Sequence, residues 1–465
     1  MERTNIVHVP KKAIQDVQET ARHIKEQYGA GKKYFVESYG CQMNDHDSER
    51  LRGMLDIMGY TPSENKFEAD FIIFNTCCVR EHAEKRVFGN IGALKKIKDE
   101  RPNLIIGVCG CMMQQKAVSD RLFKRFPFVD LVFGTNELHE FPQMFEKVLS
   151  GVRVKKVQES DGEIPEGLPA TRINTLSTSL VVMYGCNNFC SYCIVPYVRG
   201  RERSRNISDI IDEAMHLADK GYKEITLLGQ NVNSFKSDDG HDFADVLHAM
   251  NDIEGIRRIR FMTSHPKDLS DKLIDAMAGL EKVCNHIHLP VQSGSDRVLK
   301  LMNRKYDSAH YMHLIDELRK NVEGIEITTD IIVGFPTETE EDFEATLDIV
   351  RQAEFSAAFT FKYSPRTGTA AARMDEQVPE IVKKERLHRL NSCCTEIITT
   401  NNQKHIGTIG EVFVEGVDMR DKPMAFGKLS NFKMVYFPGD KDLIGQFLNV
   451  KITKTKHNSL FGELL

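Results

Sequence analysis

The chain has 465 residues, 41% hydrophobic and 28% charged, a balance typical of a globular protein. Its net charge of −5 argues against a broad electrostatic grip on nucleic acid, so any such binding must come from local basic patches. It contains no run of about 18 apolar residues that would predict a membrane span, and no apolar signal-peptide core near its start. Eleven cysteines in such a chain indicate a cytoplasmic protein with metal or redox chemistry.

The first 150 residues predict one α/β domain after a short extension. Residues 1–32 are rich in charge and predict a helical or loose extension. From residue 33 to 150, apolar strand segments alternate with helical segments of 3- and 4-residue apolar spacing. Such alternation with short connections predicts a doubly wound parallel sheet. The predicted strands are residues 34–38, 71–74, 104–108 and 131–133.

The rest of the chain predicts a linker and two further domains. Residues 151–172 collect Pro, Gly and acidic residues and predict a linker. Residues 173–402 alternate again, and six strand–helix units are too few for a closed eight-fold barrel, so we expect a partial (β/α)6 barrel. Residues 405–465 carry short β segments separated by Gly and Pro, which predict a small all-β barrel. The six central strands are predicted at residues 180–183, 224–228, 258–262, 286–289, 326–333 and 358–363.

The most informative motif is the C-x3-C-x2-C run formed by Cys186, Cys190 and Cys193, directly after the first predicted strand of the central domain. Four-iron clusters normally take four thiolates, so three close ligands predict a cluster with one iron open to a substrate. Structural zinc is the alternative, but it prefers four ligands in paired units. A disulfide would need an oxidising compartment, which nothing in the sequence supports.

A second set of cysteines follows three successive strands of the N-terminal domain. Cys41 follows the first strand, Cys77 and Cys78 the second, and Cys109 and Cys111 lie at the end of the third. Because functional residues collect at the carboxyl ends of parallel strands, one thiolate from each strand end predicts a second cluster with three protein ligands. The alternative is that these cysteines are small buried hydrophobic residues.

The motifs together resemble the methylthiotransferase family of radical S-adenosylmethionine (SAM) enzymes, and the resemblance covers nearly everything from residue 33 onward. The N-terminal motifs that carry it are Ser38-Tyr-Gly-Cys-Gln-Met-Asn with Asp47-Ser-Glu, Asn75-Thr-Cys-Cys-Val-Arg-Glu and Gly110-Cys-Met-Met-Gln. The central motifs, besides the cysteine run, are Pro196-Tyr-Val-Arg-Gly, Leu228-Gly-Gln-Asn-Val-Asn, Thr263-Ser-His-Pro, Leu289-Pro-Val-Gln-Ser-Gly-Ser, Asp330-Ile-Ile-Val-Gly-Phe-Pro-Thr-Glu and Tyr363-Ser-Pro-Arg-Thr-Gly-Thr. The C-terminal β region is similar to the RNA-binding TRAM domain.

The resemblance implies two 4Fe-4S clusters and two uses of SAM. It selects Cys77 and Cys111, with Cys41, as ligands of an auxiliary cluster that presents sulfur, and it assigns Cys186, Cys190 and Cys193 to the cluster that reduces SAM. It implies methylthiolation of C2 of N6-isopentenyl adenosine next to the anticodon (position 37) in tRNA. Other branches of the family modify threonylcarbamoyl adenosine or a ribosomal-protein aspartate. The alternative from another functional class is a non-catalytic RNA-binding metal protein.

The sequence also suggests contacts for SAM, for RNA and for partner proteins. Residues near predicted strand ends, together with an aromatic in the cysteine run, are the candidate SAM contacts: Tyr192, Gln230, Asn231, Ser264, Gln292 and Tyr363. Two sets of basic residues at alternating or near-alternating positions are the candidate phosphate contacts, or else ordinary solvated charge: Arg199, Arg201, Arg203 and Arg205, and Lys451, Lys454 and Lys456. Such chemistry also implies an electron donor such as flavodoxin or ferredoxin, and iron–sulfur assembly proteins as partners.

Overall fold

The structure, a computed structural model, describes residues 9–78, 81–158, 162–420 and 422–465. The chain divides into two compact units. The first comprises Met1–Asn174, Val181–Asn187 and Ile194–Arg205, and the second comprises Thr175–Leu180, Asn188–Cys193 and Asn206–Leu465. In the described residues no helix is both long enough and apolar enough to cross a membrane.

The elements follow one another in chain order. Up to residue 174 they are α1 (Lys11–Tyr28), β1 (Lys33–Ser38), α2 (Gln42–Ile57), β2 (Thr61–Pro62), β3 (Phe71–Thr76), α3 (Glu81–Glu100), β4 (Ile105–Gly110), α4 (Lys116–Arg125), β5 (Leu131–Phe133), α5 (Phe141–Leu149) and β6 (Val154–Lys156). The next are β7 (Ser177–Val181), β8 (Met183–Tyr184), α6 (Val195–Val198), β9 (Arg203–Ser204), α7 (Ile207–Asp219), β10 (Glu224–Leu228), α8 (Phe243–Asn251), β11 (Arg258–Phe261), α9 (Asp271–Gly279) and β12 (His286–His288).

The remaining elements complete the central domain and form the C-terminal barrel. They are α10 (Asp296–Leu301), α11 (Ser308–Asn321), β13 (Glu326–Val333), α12 (Glu340–Ala353), β14 (Ala357–Lys362), α13 (Glu380–Gln403), β15 (Ile409–Asp418), β16 (Met424–Lys428), β17 (Met434–Pro438), β18 (Phe447–Lys456) and β19 (Ser459–Leu464). Short 3-10 helices lie at Leu138–Glu140, Val232–Ser234, Pro266–Asp268, Ala371–Arg373 and Lys441–Leu443.

The N-terminal sheet is parallel and covered on both faces. Its strand order is β2-β1-β3-β4-β5-β6, with parallel pairing throughout. One apolar core joins the sheet to α1, α2 and α5, and the other joins it to α3 and α4. The predicted doubly wound sheet is therefore confirmed, because nearly continuous apolar strands need helices on both sides.

Two segments that the sequence placed outside this domain belong to its structure. Helix α1, in the predicted extension, buries Val17, Ala21 and Ile24 in the domain core. Strand β6, in the predicted linker, pairs with β5 at the edge of the sheet. Its residues Val154–Lys156 are only partly buried, and a short, lysine-bearing edge strand lacks the apolar run that marks a central strand.

The central domain carries the six predicted strands as two three-stranded sheets, β11-β10-β7 and β12-β13-β14. A parallel bridge between Ile259 and Val283 connects β11 to the segment before β12. The first strand ends earlier than predicted, because Met183 and Tyr184 leave it to pair antiparallel with Ser204 and Arg203. The partial (β/α) barrel is otherwise as expected from the alternation of strands and helices.

The C-terminal strands form a closed barrel in the order β15-β16-β17-β19-β18, which confirms the predicted small β barrel. Two buried arginines of β11 attach it to the central domain. Arg258 donates to the carbonyls of Lys428 and Glu411, at 2.7 and 2.6 Å. Arg260 donates to the carbonyls of Ser430 and Leu429, both at 2.8 Å. Both guanidinium groups therefore hold barrel backbone in place.

The attachment of the barrel predicts a large stability cost for Arg260→Ala. The Arg260 side chain is 3% exposed and forms an ion pair with buried Glu224, Nε–Oε2 2.9 Å. Removing the cation leaves an uncompensated buried carboxylate, so we expect a loss of about 3–5 kcal/mol in urea denaturation. Exposed Arg257, which pairs with Glu411, is the control, and Arg257→Ala should cost about 1 kcal/mol at most. Equal costs for the two variants would contradict the assigned role.

Candidate metal and cofactor centres

The N-terminal cysteines meet at one edge of the first unit's sheet. Cys41 follows β1 and occupies the N-cap position of α2, Cys77 directly follows β3, and Cys111 directly follows β4. Because β1, β3 and β4 are neighbours in a parallel sheet, their carboxyl ends lie side by side. Cys41, Cys77 and Cys111 therefore lie at adjacent strand ends, as the sequence predicts.

The thiols at this edge contact one another. A hydrogen bond with Cys77 is the largest cause that lowers the pKa of Cys41 to about 6. A hydrogen bond with Cys78 is the largest cause that lowers the pKa of Cys111, and the charge of Arg199 acts in the same direction. Thiolate is the form that binds metals, so the edge favours ligand chemistry. Both Cys77 and Cys78 take part in these contacts.

Cys109 behaves differently from Cys111 although the two are only two residues apart. It lies inside β4, and burial raises the pKa of its thiol well above the usual value. Its backbone carbonyl accepts a hydrogen bond from Thr76 Oγ1 at 2.6 Å. A neutral buried thiol within a strand is a packing residue.

Two glycines allow the strand ends to approach. Gly40 has φ +138°, and a Cβ there would lie 2.9 Å from the Cys77 sulfur. Gly110 has φ +95°, and a Cβ there would lie 2.3 Å from Asn75 Oδ1. Both conformations favour glycine. Backbone conformation and lack of space therefore both require glycine directly before Cys41 and directly before Cys111.

A buried polar network surrounds the same edge. The Asn44 amide donates to the Thr76 carbonyl at 2.8 Å. Arg199 Nε donates to Cys111 Sγ at 3.1 Å, and its Nη2 donates to Asp47 Oδ2 at 2.7 Å and to Asn44 Oδ1 at 3.3 Å. No role for Asn44 or Asp47 follows from the sequence alone. Their spacing of three and six residues after Cys41, on the helix whose N-cap position Cys41 occupies, was the available signal.

The arginine run is not the exposed patch that was predicted. Arg199 and Arg205 are buried, and Arg205 forms a two-pronged ion pair with Glu166 at 2.7 Å for each contact. Arg203 is also buried and donates to the Arg199 carbonyl, whereas Arg201 is exposed. Arg203 lies in β9, which pairs with β8, and the guanidinium of Arg199 binds buried Asp47. Of the four arginines in the run, Arg201 alone is exposed.

The C-x3-C-x2-C cysteines divide between the two units: Cys186 belongs to the first, and Cys190 and Cys193 belong to the second. In the first unit, the Cys186 amide donates to the Gly200 carbonyl at 3.2 Å. In the second unit, the Cys193 amide donates to the Cys190 carbonyl at 2.9 Å, a turn that spaces the two thiols. Arg304, which is buried, has Nη1 3.5 Å from Cys190 Sγ. Sequence reasoning missed Arg304, because it lies in no motif with the cysteines.

Several predicted SAM contacts carry buried polar atoms that have no hydrogen-bond partner among the described residues. These atoms are Asn231 Oδ1, Ser264 Oγ and the Tyr363 hydroxyl. The other polar atom of the Asn231 side chain donates to Asp268 at 2.8 Å. Since buried polar groups are normally satisfied, three such atoms near the strand ends fit a polar ligand.

Aromatic packing adds an apolar wall to this edge of the second unit. Tyr192 packs against a cluster that contains Val298, Phe335 and Tyr363, and the rings of Phe335 and Tyr363 meet edge-on at 5.5 Å. Tyr192 of the cysteine run and Tyr363, directly after β14, therefore supply one apolar surface that suits a purine. Gln230 is partly buried just after β10.

Two residues at the strand ends are strained. Thr263, after β11, has φ +66°, and Gln292, after β12, has φ +69°. A β-branched residue in the left-handed region is a genuine outlier, and such strain gathers at functional sites. Thr263 Oγ1 donates to the Gly229 carbonyl at 2.6 Å, which fixes two strand ends together.

The lysines of the C-terminal barrel share one face because of a β-bulge. Lys451, Lys454 and Lys456 are exposed and pair with Glu463, Phe461 and Ser459 on β19. The register shift between Ile452 and Lys454 absorbs the odd three-residue spacing that would otherwise turn Lys451 to the opposite face. The three lysines therefore lie on one face, and the bulge makes this placement possible.

The N-terminal donor set fits an iron–sulfur cluster. Across the described ranges, no three His, Cys, Asp or Glu side chains are gathered closely enough to hold a single metal ion. A four-iron cluster binds each thiolate through a different iron, so its ligands stand wider apart than those of one ion. Thiols at neighbouring strand ends, two of them with lowered pKa, match that requirement.

Three family models match successive parts of the chain. The Radical SAM superfamily model matches residues 180–350. The model of an uncharacterized protein family, UPF0004, matches residues 33–134, and the TRAM domain model matches residues 403–465.

Solved structures of low sequence identity share the fold. A radical S-adenosylmethionine methyltransferase, TsrM from Kitasatospora setae, has a TM-score of 0.54 at 13% identity, over 79% of this chain and 89% of that one. The cobalamin-dependent radical enzyme OxsB has a TM-score of 0.52 at 14% identity, over 87% of this chain and 64% of that one.

Curated relatives match almost end to end. A tRNA-2-methylthio-N(6)-dimethylallyladenosine synthase from Caldicellulosiruptor saccharolyticus is 54% identical over 94% of this chain and 93% of its own length. One from Clostridium tetani is 50% identical over 97% and 99%. The chain belongs to the radical SAM methylthiotransferase family that includes these synthases.

Proposed function

We propose that the protein replaces the C2–H of N6-isopentenyl adenosine beside the anticodon of tRNA with a methylthio group. Two molecules of SAM serve as methyl donor and radical source, and sulfur is delivered at an auxiliary cluster on Cys41, Cys77 and Cys111. The observation that carries the proposal is the second thiol set at the edge of the N-terminal sheet, together with relatives of this activity at about half identity over nearly their full length.

The chain's own residues support this chemistry by binding and shielding. When bound, an iron–sulfur cluster with an open iron supplies the one-electron chemistry that an unactivated carbon–hydrogen bond requires. Asn231 and Ser264 offer buried polar atoms for the charged end of SAM, and Tyr192 and Tyr363 offer an apolar wall for its adenine. The cysteines hold the clusters, and Gln230 and Gln292 complete the proposed SAM contacts.

RNA binding is proposed for the outer face of the C-terminal barrel. Phe426, Tyr436 and Phe461 occupy paired positions on neighbouring strands, with ring centroids 5.8 and 5.6 Å apart. Lys454 pairs with Phe461 and extends the row. Partly exposed aromatic rings beside lysines suit single-stranded RNA, because bases stack on the rings and phosphates pair with the cations.

The cellular setting follows from the same proposal. A tRNA substrate places the enzyme in the cytoplasm. Each cycle consumes electrons, so a low-potential donor such as flavodoxin or ferredoxin is a required partner. Iron–sulfur assembly proteins must load the two cysteine sets.

Nucleoside analysis tests the proposed substrate. We expect deletion of the gene to remove 2-methylthio-N6-isopentenyl adenosine from bulk tRNA and to leave the unmodified isopentenyl nucleoside in its place. Reintroducing the wild-type gene should restore it, and a Cys186→Ala copy should not. An unchanged nucleoside profile refutes the proposed substrate, and loss of a methylthiolated threonylcarbamoyl adenosine, or of a methylthiolated ribosomal-protein aspartate, would assign the chain to another branch.

Iron content tests the choice of cluster ligands. Anaerobically reconstituted wild-type protein should hold about eight irons, as two four-iron clusters require. We expect Cys77→Ala to lower this to about four, because one ligand of the auxiliary cluster is lost. Cys78→Ala and Cys109→Ala are matched controls on the same strand ends and should keep about eight. If Cys78→Ala loses iron and Cys77→Ala does not, the ligand assignment is wrong.

Salt dependence tests the lysine stripe. Replacing Lys451, Lys454 and Lys456 by alanine should weaken binding of an anticodon stem-loop. The slope of log affinity against log salt concentration should fall by about one for each lysine that contacts a phosphate.

The control triple replaces exposed lysines far from the barrel in sequence, Lys96, Lys124 and Lys320. It removes the same total charge and should leave the slope close to that of the wild type. An equal change in both triples would mean that the barrel face does not bind RNA specifically.

A further inference from the structure

Arg199 is a buried cation that contacts a predicted cluster ligand. Its side chain is 7% exposed, and its Nε–H points at Cys111 Sγ over 3.1 Å. Phosphate recognition, the role first expected for it, needs an exposed guanidinium. The structure instead directs this charge toward the edge where the three N-terminal thiols meet.

The orientation of Arg199 is fixed from both ends. At the guanidinium, Asp47 Oδ2 accepts a hydrogen bond at 2.7 Å, and both side chains are less than 10% exposed. At the backbone, Thr135 Oγ1 donates to the preceding carbonyl of Val198 at 2.7 Å, and Arg203 donates to the Arg199 carbonyl. A long side chain anchored in this way keeps its N–H aimed at one sulfur.

The network also joins the three ligand-bearing strand ends. Asn44 lies in the helix whose N-cap position Cys41 occupies, and its amide donates to the Thr76 carbonyl directly before Cys77. The same Asn44 accepts from Arg199 Nη2 at 3.3 Å. Arg199 completes the connection by its contact with Cys111. Arg199 therefore contacts one proposed ligand, Cys111, directly. Through Asn44 it is linked to the strand ends that carry the other two.

We propose that Arg199 is the positioning residue of the auxiliary cluster: its N–H holds the Cys111 sulfur in place, and its charge raises the cluster's reduction potential. Arginine stays protonated in proteins, and a hydrogen bond from a cation to a thiolate is charge-assisted. Hydrogen bonds to the sulfurs and local charge are established controls of cluster potential. The inference rests on the proposed auxiliary cluster and adds a residue that tunes it.

The experiment isolates the auxiliary cluster. In the full-length chain, Cys186, Cys190 and Cys193 are replaced by alanine, so that any four-iron signal comes from the N-terminal thiols. The midpoint potential is then measured by redox titration with electron paramagnetic resonance, and iron is counted, after adding Arg199→Gln or Arg199→Lys. Arg205→Gln is the matched control, because Arg205 is another buried arginine of the same run whose guanidinium binds Glu166.

We expect Arg199→Gln either to lose the four irons or to keep them at a more negative midpoint potential. Arg199→Lys should retain iron and shift the potential less, because it keeps the charge but loses the fork. Arg205→Gln should retain both iron and potential. If the glutamine variants do not fold, as judged by circular dichroism, the iron content and midpoint potential of Arg199→Lys are compared with those of Arg205→Lys instead.

Two results overturn the inference: a wild-type potential in loaded Arg199→Gln, and an equal shift in Arg205→Gln. The failure of the proposed function is a separate result. If the background lacking Cys186, Cys190 and Cys193 binds no iron while Arg199 is intact, the auxiliary cluster itself is absent. The iron count of the parent and the potential of the variant therefore test the two claims independently.

Discussion

The structure depends on the parallel pairing of neighbouring strands, which brings residues far apart in sequence to one edge. Cys41, Cys77 and Cys111 follow β1, β3 and β4, and pairing of these strands places their thiols together without any local motif. In the central domain the same rule brings Asn231 and Ser264, which follow the paired strands β10 and β11, to neighbouring strand ends. Glycines at positions 40 and 110 give the backbone the space that this approach requires. A sheet edge, rather than a loop motif, is thus the basis of the second proposed centre.

Each unit contains a buried arginine directed at a cysteine sulfur. Arg199 contacts Cys111 in the first unit, and Arg304 contacts Cys190 in the second. A guanidinium cannot lose its proton, so it compensates thiolate charge in a buried place at any physiological pH. Burying such a cation is unfavourable unless it is paired, and Asp47 pairs with Arg199. This pairing explains why Arg199 is internal although arginine is usually a surface residue.

The sequence was sufficient to predict the architecture, but not the polar surroundings of the six proposed cluster ligands. Apolar periodicity predicted both α/β domains, and short β segments separated by Gly and Pro predicted the C-terminal barrel, since both signals are local. The positions of Arg199 and Arg205 were not predictable, because an alternating arginine run has the same appearance whether its side chains pair with Asp47 and Glu166 or face solvent. Strand β6 was missed for a related reason: a short edge strand with two lysines carries little apolar signal. The placement of Lys451 on the same face as Lys454 and Lys456 depends on a β-bulge, which residue spacing alone does not reveal.

Anomalous scattering at the iron edge, from crystals of anaerobically reconstituted protein, tests the central claim most directly. The account predicts two separate iron centres of four irons each, one bounded by the sulfurs of Cys41, Cys77 and Cys111, with the Arg199 guanidinium beside Cys111. A single iron centre at Cys186, Cys190 and Cys193, with the N-terminal thiols free of iron and hydrogen-bonded to one another, would contradict it. So would an N-terminal centre bound by Cys78 in place of Cys77.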